Sequence, residues 1–221
     1  MSYRDLVLVG PHHYMLSPRH PLSKGLIKAA QFTVTTAERP TSIPRPYDVS
    51  SITTAPRLFH ALLHFLANRY LSMGKKGPTH ILGIETNGCF IAAPLAFLLD
   101  LPFVPVTREA ITETHFVSDG DDKPPAPPIG VKEGSIDKDS RVLIVDDYIS
   151  SGKTMDSAMD CAMIAGSTIV EVVAMCDTAT GGGVDFIHKE KAYKSINVIT
   201  LFRLRNALDV LSYKRHVKSN Y

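Results

Sequence analysis

Residues 141–155 read RVLIVDDYISSGKTM, and the order of residue types in this stretch predicts the fold. The apolar run Val142 to Val145 is typical of a buried strand, and Asp146 and Asp147 follow it directly. Ligands of open α/β sheets bind at the carboxyl ends of the strands. We therefore expect both carboxylates where this strand leaves the sheet, facing a cleft.

The polar loop that follows is suited to an anion. Ser150, Ser151, Gly152, Lys153 and Thr154 supply hydroxyls, a permissive glycine and backbone N–H groups at the start of a helical pattern. Neighbouring carboxylates accept hydrogen bonds from the cis-diol of a sugar. The stretch predicts a phosphate loop beside a diol-binding acid pair. In the simpler alternative, the aspartates only begin a loop and the glycine ends a turn.

Two other phosphate motifs do not fit. An NTP-binding P-loop needs a glycine separated by four residues from its Gly-Lys pair, and that position is Asp147. A dinucleotide turn needs Gly-x-Gly-x-x-Gly, which the triple glycine at 181–183 does not provide. We interpret the triple glycine as a turn.

Composition excludes several classes of protein. The chain has 221 residues, 44% of them hydrophobic, and a net charge of +2 that is too small to indicate a nucleic-acid partner. No segment approaches the roughly 20 apolar residues of a membrane span. Cys89, Cys161 and Cys176 lack metal-ligand spacing and suit reduced thiols. We expect a cytoplasmic protein.

The histidines do not indicate a metal site. His12 and His13 lack a set of partner ligands, so we expect them at the surface. His60 and His64 are expected on the surface of a helix, because no glutamate follows His60 as in zinc proteases. No side chain is assigned as a direct metal ligand.

Alternating strands and helices predict a central parallel sheet with helices on both faces. Hydrophobic spacing predicts helices over 22–31, 56–73, 89–99, 155–165 and 186–193, and strands over 80–84, 103–106, 142–145, 169–175 and 198–202. We expect an N-terminal lobe over 1–47, a core over 48–205 and a C-terminal tail over 206–221. A long flexible loop is expected over 108–135.

The motif at 146–154 resembles the 5-phosphoribosyl diphosphate (PRPP) motif of the type I phosphoribosyltransferases. The similarity spans about 43–202 and is greatest to the adenine phosphoribosyltransferases. It implies the type I fold with an N-terminal hood lobe. Asp146 and Asp147 would take the ribose hydroxyls, and residues 150–154 would wrap the 5′-phosphate.

Two further segments resemble that family. Ile43 and Arg45, in a proline-rich segment, are similar to residues that meet the purine, although the segment could equally be an extended linker. Tyr148 is a candidate to stack on the base. The resemblance implies diphosphate binding by Arg108 and by a loop, Glu85, Thr86, Asn87 and Gly88.

The chain also departs from the family pattern. Asn87 stands in place of an arginine, Thr107 in place of the first residue of an Arg-Lys pair, and Lys153 in place of a glycine, as in 6-oxopurine enzymes. The usual loop bearing Tyr and Glu is replaced by an acidic segment. In it, Asp121 is our candidate acid–base residue, unless the segment is only a solvated turn.

The resemblance implies that adenine and PRPP react to give AMP and diphosphate, with Mg²⁺ bound to PRPP. Asp121 and Asp147 are the candidate catalytic residues, and the expected assembly is a homodimer or a dimer with a homologous subunit. Two alternatives remain: a weakly active or inactive subunit that binds nucleotide, PRPP or a catalytic homologue, and a 6-oxopurine phosphoribosyltransferase.

Overall fold

The computed structural model describes residues 5–29, 50–108, 115–118, 128–178, 182–189 and 192–204. The side chains of 50, 115–118 and 204 are outside this description. Among the described residues, none of the helices has the length and apolar character needed to cross a membrane.

A mostly parallel sheet forms the centre of the described chain. Its seven strands lie in the order β1-β2-β9-β8-β7-β3-β4, and only β1 runs antiparallel to its neighbour. A separate pair, β5 and β6, is antiparallel. The strands are β1 Leu6–Gly10, β2 His13–Leu16, β3 His80–Ile84, β4 Phe103–Val106, β5 His115–Ser118, β6 Ile129–Lys132, β7 Arg141–Ile149, β8 Thr168–Thr178 and β9 Val198–Leu204.

Helices cover both faces of this sheet and enclose two hydrophobic cores. They are α1 Pro21–Ala29, α2 Ser50–Thr53, α3 Pro56–Leu71, α4 Cys89–Leu99, α5 Lys153–Ile164 and α6 Gly183–Ile187, with a 3₁₀ turn at Gly74–Lys76. One core lies between one face of the sheet and the helices α1, α2, α3 and α4. The other core packs α5, α6 and β6 against the opposite face. The predicted α/β architecture with helices on both faces is confirmed.

The N-terminal residues extend the sheet. In the described part of the predicted lobe, β2 pairs in parallel with β9, from His13 opposite Val198 to Met15 opposite Thr200. Residues 5–16 are therefore continuous with the core, and a lobe boundary near residue 47 lies outside the described residues. The sequence did not predict β1 and β2, since they gain their hydrogen bonds from β9, far away in the chain.

Three other expectations are corrected. β7 continues through Asp147 to Ile149 where only Val142 to Val145 was predicted, because β8 pairs along its whole length. The expected flexible loop at 108–135 contains a β-hairpin, in which Ile129 and Val131 are buried under α5. The helix expected at 186–193 is the shorter α6, Gly183–Ile187.

Candidate active site

The site lies where the chain connections of the sheet change direction. β3 and β7 are neighbours, but β4 follows on one side and β8 and β9 on the other. Backbone pairing of β7 with β3 ends at Val145, whereas pairing with β8 continues to Ile149. A crevice therefore opens beside Asp146 and Asp147, at the type of switch point where α/β sheets bind ligands.

The two aspartates differ in environment. Asp146 is only 7% exposed, and Asp147 is half-buried. The backbone N–H of Asp147 donates to Asp146 Oδ1 at 2.8 Å. Burial raises the pKa of Asp146 well above its usual range, and the neighbouring charge of Asp147 adds to the rise. The pair therefore favours a ligand that donates hydrogen bonds, as a ribose diol does.

The predicted phosphate loop is shaped by two glycines that pack against each other. Gly152 has φ +87°, and a Cβ there would overlap the carbonyl oxygen of Gly183. A Cβ on Gly183 would overlap the carbonyl oxygen of Ser150 and lie 2.7 Å from the backbone N of Gly152. Gly183, which was predicted to lie in a turn and is the first residue of α6, is thus the packing partner of the loop. Sequence reasoning missed this role, although the run of glycines was visible.

Helix α5 begins directly after this loop. Gly152 caps it, Lys153 is its first residue, and the N–H of Asp156 donates to the Gly152 carbonyl at 2.9 Å. Arg108, two residues after β4, donates through Nη2 to Thr154 Oγ1 at 3.1 Å. A helix N-terminus and a guanidinium therefore meet at the predicted phosphate loop, and both favour an anion.

The loop between β3 and α4 forms the other side of the crevice. Its Glu85–Thr86 peptide bond is cis. A Cβ on Gly88 would lie 2.6 Å from the carbonyl oxygens of both Ile84 and Val145, so a side chain at residue 88 would press the loop off β7. The sequence-predicted diphosphate residues 85–88 thus lie beside the acid pair.

Asn87 of this loop and Thr107, which follows β4, each donate a hydrogen bond to a carboxylate. Asn87 Nδ2 donates to Asp147 Oδ2 at 2.8 Å, and Thr107 Oγ1 donates to Glu85 Oε2 at 2.7 Å. Both donors are neutral, and both stand where the family resemblance led us to expect cations. The carboxylates of Glu85 and Asp147 are therefore held in place without being neutralised by these contacts.

The pKa of Cys89, the first residue of α4, is affected by burial and by two nearby carboxylates. Its thiol donates to the Gly83 carbonyl at 3.3 Å. Burial raises the pKa of Cys89 to about 11, with further increases from Glu85 and Asp146. The thiol is consequently protonated at neutral pH.

Of the predicted base-binding and acid–base residues, Tyr148 lies in the described part of the chain. Tyr148 is half-buried against the core beside α3 and α4, opposite Cys176 of β8, and burial raises its pKa. Ile43, Arg45 and Asp121 lie outside the described residues. Base contact and proton transfer by these side chains stay predictions.

A buried polar network lies beyond the acid pair. His13 is 4% exposed, which corrects its expected surface position, since β2 is an inner strand of the sheet. Its Nδ1 accepts from Arg203 Nη2 at 3.2 Å, so its Nε2–H donates to Thr200 Oγ1 at 3.0 Å. Arg203 also donates to Asp177 Oδ2, at 2.7 Å from Nη2. This network joins β2, β8 and β9.

The exposed histidine pair on α3 agrees with its prediction. His60 and His64 lie at the surface with their Nε2 atoms 2.8 Å apart. In the part of the chain that the structure describes, no group of three or more His, Cys, Asp or Glu side chains could hold a metal ion.

These features define an α/β protein with a candidate anion-binding loop at a switch point of its sheet. Residues 48–202 match the family model described as the phosphoribosyl transferase domain, and the chain belongs to this family. It is accordingly an enzyme of the pentosyltransferase type. The predicted type I phosphoribosyltransferase fold is confirmed.

The chain is similar to several adenine phosphoribosyltransferases. The crystal structure of the enzyme from Leishmania tarentolae is 31% identical, with a TM-score of 0.82 over 93% of this chain and 95% of that one. The Trypanosoma brucei enzyme, in complex with AMP, pyrophosphate and ribose-5-phosphate, is 29% identical, with a TM-score of 0.80 over 92% and 87%. The Nitrosomonas eutropha enzyme is 30% identical over 62% of this chain and 77% of its own length.

Proposed function

We propose that this phosphoribosyltransferase converts adenine and PRPP to AMP and diphosphate, with Mg²⁺. The observation that carries the proposal is the acid pair on β7 followed by the glycine-packed phosphate loop. Adenine is the proposed base because two solved structures that are similar over 93% and 92% of this chain are adenine phosphoribosyltransferases.

Substrate binding is divided between the acid pair and the loop that follows it. In this proposal, Asp146 and Asp147 accept hydrogen bonds from the ribose diol, and Gly152, Lys153 and Thr154 hold the 5′-phosphate. Fixing both groups orients the anomeric carbon, which lowers the entropic part of the barrier. Ile43, Arg45 and Tyr148 are proposed to position the purine.

In the transfer itself, the bond between the anomeric carbon and the diphosphate oxygen breaks, and the oxygen keeps the electron pair. Adenine N9 donates its electron pair to the same carbon, and the purine loses a proton. We propose Asp121 as the group that exchanges a proton with the purine, a role worth about 10²–10⁴-fold in rate. Asp147 keeps the ribose oriented while positive charge grows on the ring.

The carboxylate oxygens of Glu85 and Asp147 are hard ligands of the kind that suits Mg²⁺ together with diphosphate oxygens and water. When bound, the ion supplies positive charge to the leaving group. Glu85 follows β3 and Asp147 lies on the neighbouring strand β7, so both are proposed to meet the hydration shell of the ion or the ion directly.

A weakly active enzyme that mainly binds nucleotide is the second candidate. The neutral contacts from Asn87 to Asp147 and from Thr107 to Glu85 favour it, because neither supplies a charge to the departing diphosphate.

The test is steady-state formation of each mononucleotide from PRPP and Mg²⁺, with adenine, hypoxanthine, guanine and xanthine compared side by side. Turnover with adenine alone supports the proposal, and turnover with an oxopurine overturns the base assignment. Asp147→Asn, which removes the anionic acceptor, should lose activity, whereas Asp139→Asn, at an exposed residue outside the crevice, should keep it. AMP binding without turnover in wild-type protein would favour the second candidate.

A further inference from the structure

The two ends of the crevice differ in charge. Arg108, for which the family resemblance implied a diphosphate contact, donates instead to Thr154 in the proposed phosphate loop. Lys153, also assigned to that loop, is the first residue of α5. The guanidinium of Arg108 therefore lies at the 5′-phosphate end.

The end of the crevice formed by residues 85–88 carries the opposite charge. Glu85 and Asp147 each receive a hydrogen bond from a neutral side chain, Thr107 and Asn87. Such bonds orient a carboxylate but leave its charge in place. An anionic group placed between Glu85 and Asp147 meets two like charges in a partly buried crevice, where screening by water is reduced.

We propose that the site recognises the ribose 5-phosphate part of its ligands and gains no affinity from a metal-free diphosphate, with Asn87 as the residue that determines this. The site then binds ribose 5-phosphate and AMP more tightly than metal-free PRPP. The inference rests on the proposed function, because it takes the acid pair and the 150–154 loop as the ribose and 5′-phosphate site.

Asn87 is the determining residue because it lies between the proposed ribose site and the proposed diphosphate site. Its amide lies in the diphosphate loop and reaches the ribose acceptor Asp147 at 2.8 Å. A cation at residue 87 would pair with the same carboxylate and offer charge to the diphosphate. A neutral amide offers only the first of these two interactions.

Calorimetric titration of the full chain with ribose 5-phosphate, AMP and PRPP in EDTA tests the inference. We expect PRPP to bind about tenfold or more weakly than ribose 5-phosphate in wild-type protein. Asn87→Arg should improve PRPP binding by about tenfold or more, as a new charge-assisted hydrogen bond allows, and leave ribose 5-phosphate within about twofold. Asn68→Arg, on an exposed position of α3, controls for the added charge alone.

Glu85→Gln provides a second route if the arginine variant does not fold. It removes one negative charge with little change in shape, and we expect it to strengthen PRPP binding selectively. Asn87→Leu removes the amide without adding charge, so it should change ribose 5-phosphate and PRPP by the same factor.

The outcomes separate this inference from the proposed function. Tighter binding of PRPP than of ribose 5-phosphate in EDTA overturns the inference alone. An unchanged ratio between these two ligands in both Asn87→Arg and Glu85→Gln also overturns it. Failure of wild-type protein to bind AMP, ribose 5-phosphate or PRPP, with or without Mg²⁺, overturns the proposed function as well.

Discussion

The two ends of the crevice are built by different means. At the 5′-phosphate end, main-chain atoms of Gly152 and Gly183 are packed so closely that neither residue has room for a side chain. At the diphosphate end, side chains set the geometry, through Asn87 on Asp147 and Thr107 on Glu85. The first end is defined by space and the second by charge, so a single substitution affects shape at one end and electrostatics at the other.

The largest effect is expected from Gly152→Ala. The new Cβ would overlap the Gly183 carbonyl, and alanine would be strained at φ +87°. The combined cost is about 3 kcal/mol or more in the free energy of unfolding, with loss of AMP binding. Urea unfolding and calorimetric titration measure the two effects.

Gly134→Ala is the matched control for this change. Gly134 has φ +78° but no heavy atom within 4 Å of its ideal Cβ position. The substitution should cost only the strain of alanine in a left-handed backbone conformation, about 1–2 kcal/mol in the free energy of unfolding. AMP binding should remain intact. Equal losses in the two variants would show that packing against Gly183 does not define the phosphate end.

Asp147→Ala tests the residue that links the two ends. It removes the charged acceptor proposed for the ribose and also the partner of Asn87. Binding of AMP and of PRPP should weaken by about 1.5–3 kcal/mol. Asp139→Ala, whose carboxylate is exposed beside Lys138, should bind as wild type does. Unchanged affinity of Asp147→Ala for PRPP would contradict the assignment of the ribose site.

Gly88→Ala shifts the diphosphate loop. Its Cβ would meet the carbonyl oxygens of Ile84 and Val145 at 2.6 Å, and relief of this overlap should cost about 1–3 kcal/mol in stability. We expect turnover to fall more than affinity for AMP. Gly10→Ala, which meets only the Cβ of His13 at 3.6 Å, serves as the control. An equal loss of AMP affinity and turnover would mean that the two ends cannot be altered separately.

The smallest effect concerns the thiol of Cys89. Because its pKa is about 11, alkylation by iodoacetamide should be slow at neutral pH and should accelerate as the pH rises toward that value. Glu85→Gln removes a charge that raises this pKa, so the rate profile should move to lower pH. Cys161 and Cys176 are buried, which favours labelling of Cys89. A profile that does not move would contradict the negative potential at the diphosphate end.

Local patterns predicted the strand that carries the acid pair and the helix that follows residues 150–154. Residues 141–155 carry the strand, the acid pair and the loop in one continuous stretch, so the order of residue types was sufficient. The full length of β7 was not predictable from the local pattern, because the strand continues to Ile149 only through its pairing with β8. The burial of His13 likewise depends on pairing of β2 with β9.

The diphosphate end was harder to predict for a physical reason. The sequence shows that Asn87 and Thr107 are neutral, but not which carboxylates they bind, since Asn87 and Asp147 are 60 residues apart. The hairpin of β5 and β6 was also missed, because the acidic and proline-rich residues between its strands hid a short strand buried under α5. Contacts between distant segments decide both features.

The packing of Gly152 on Gly183 also constrains how this loop could be exchanged between proteins. Because each glycine occupies the space that a Cβ on the other would need, the two positions form one unit despite lying on separate segments. Grafting 150–154 into a related scaffold should succeed only when the start of α6 is transferred with it. Recombination that divides the chain between α5 and α6 should yield inactive chimaeras unless both parents carry glycine at the two positions.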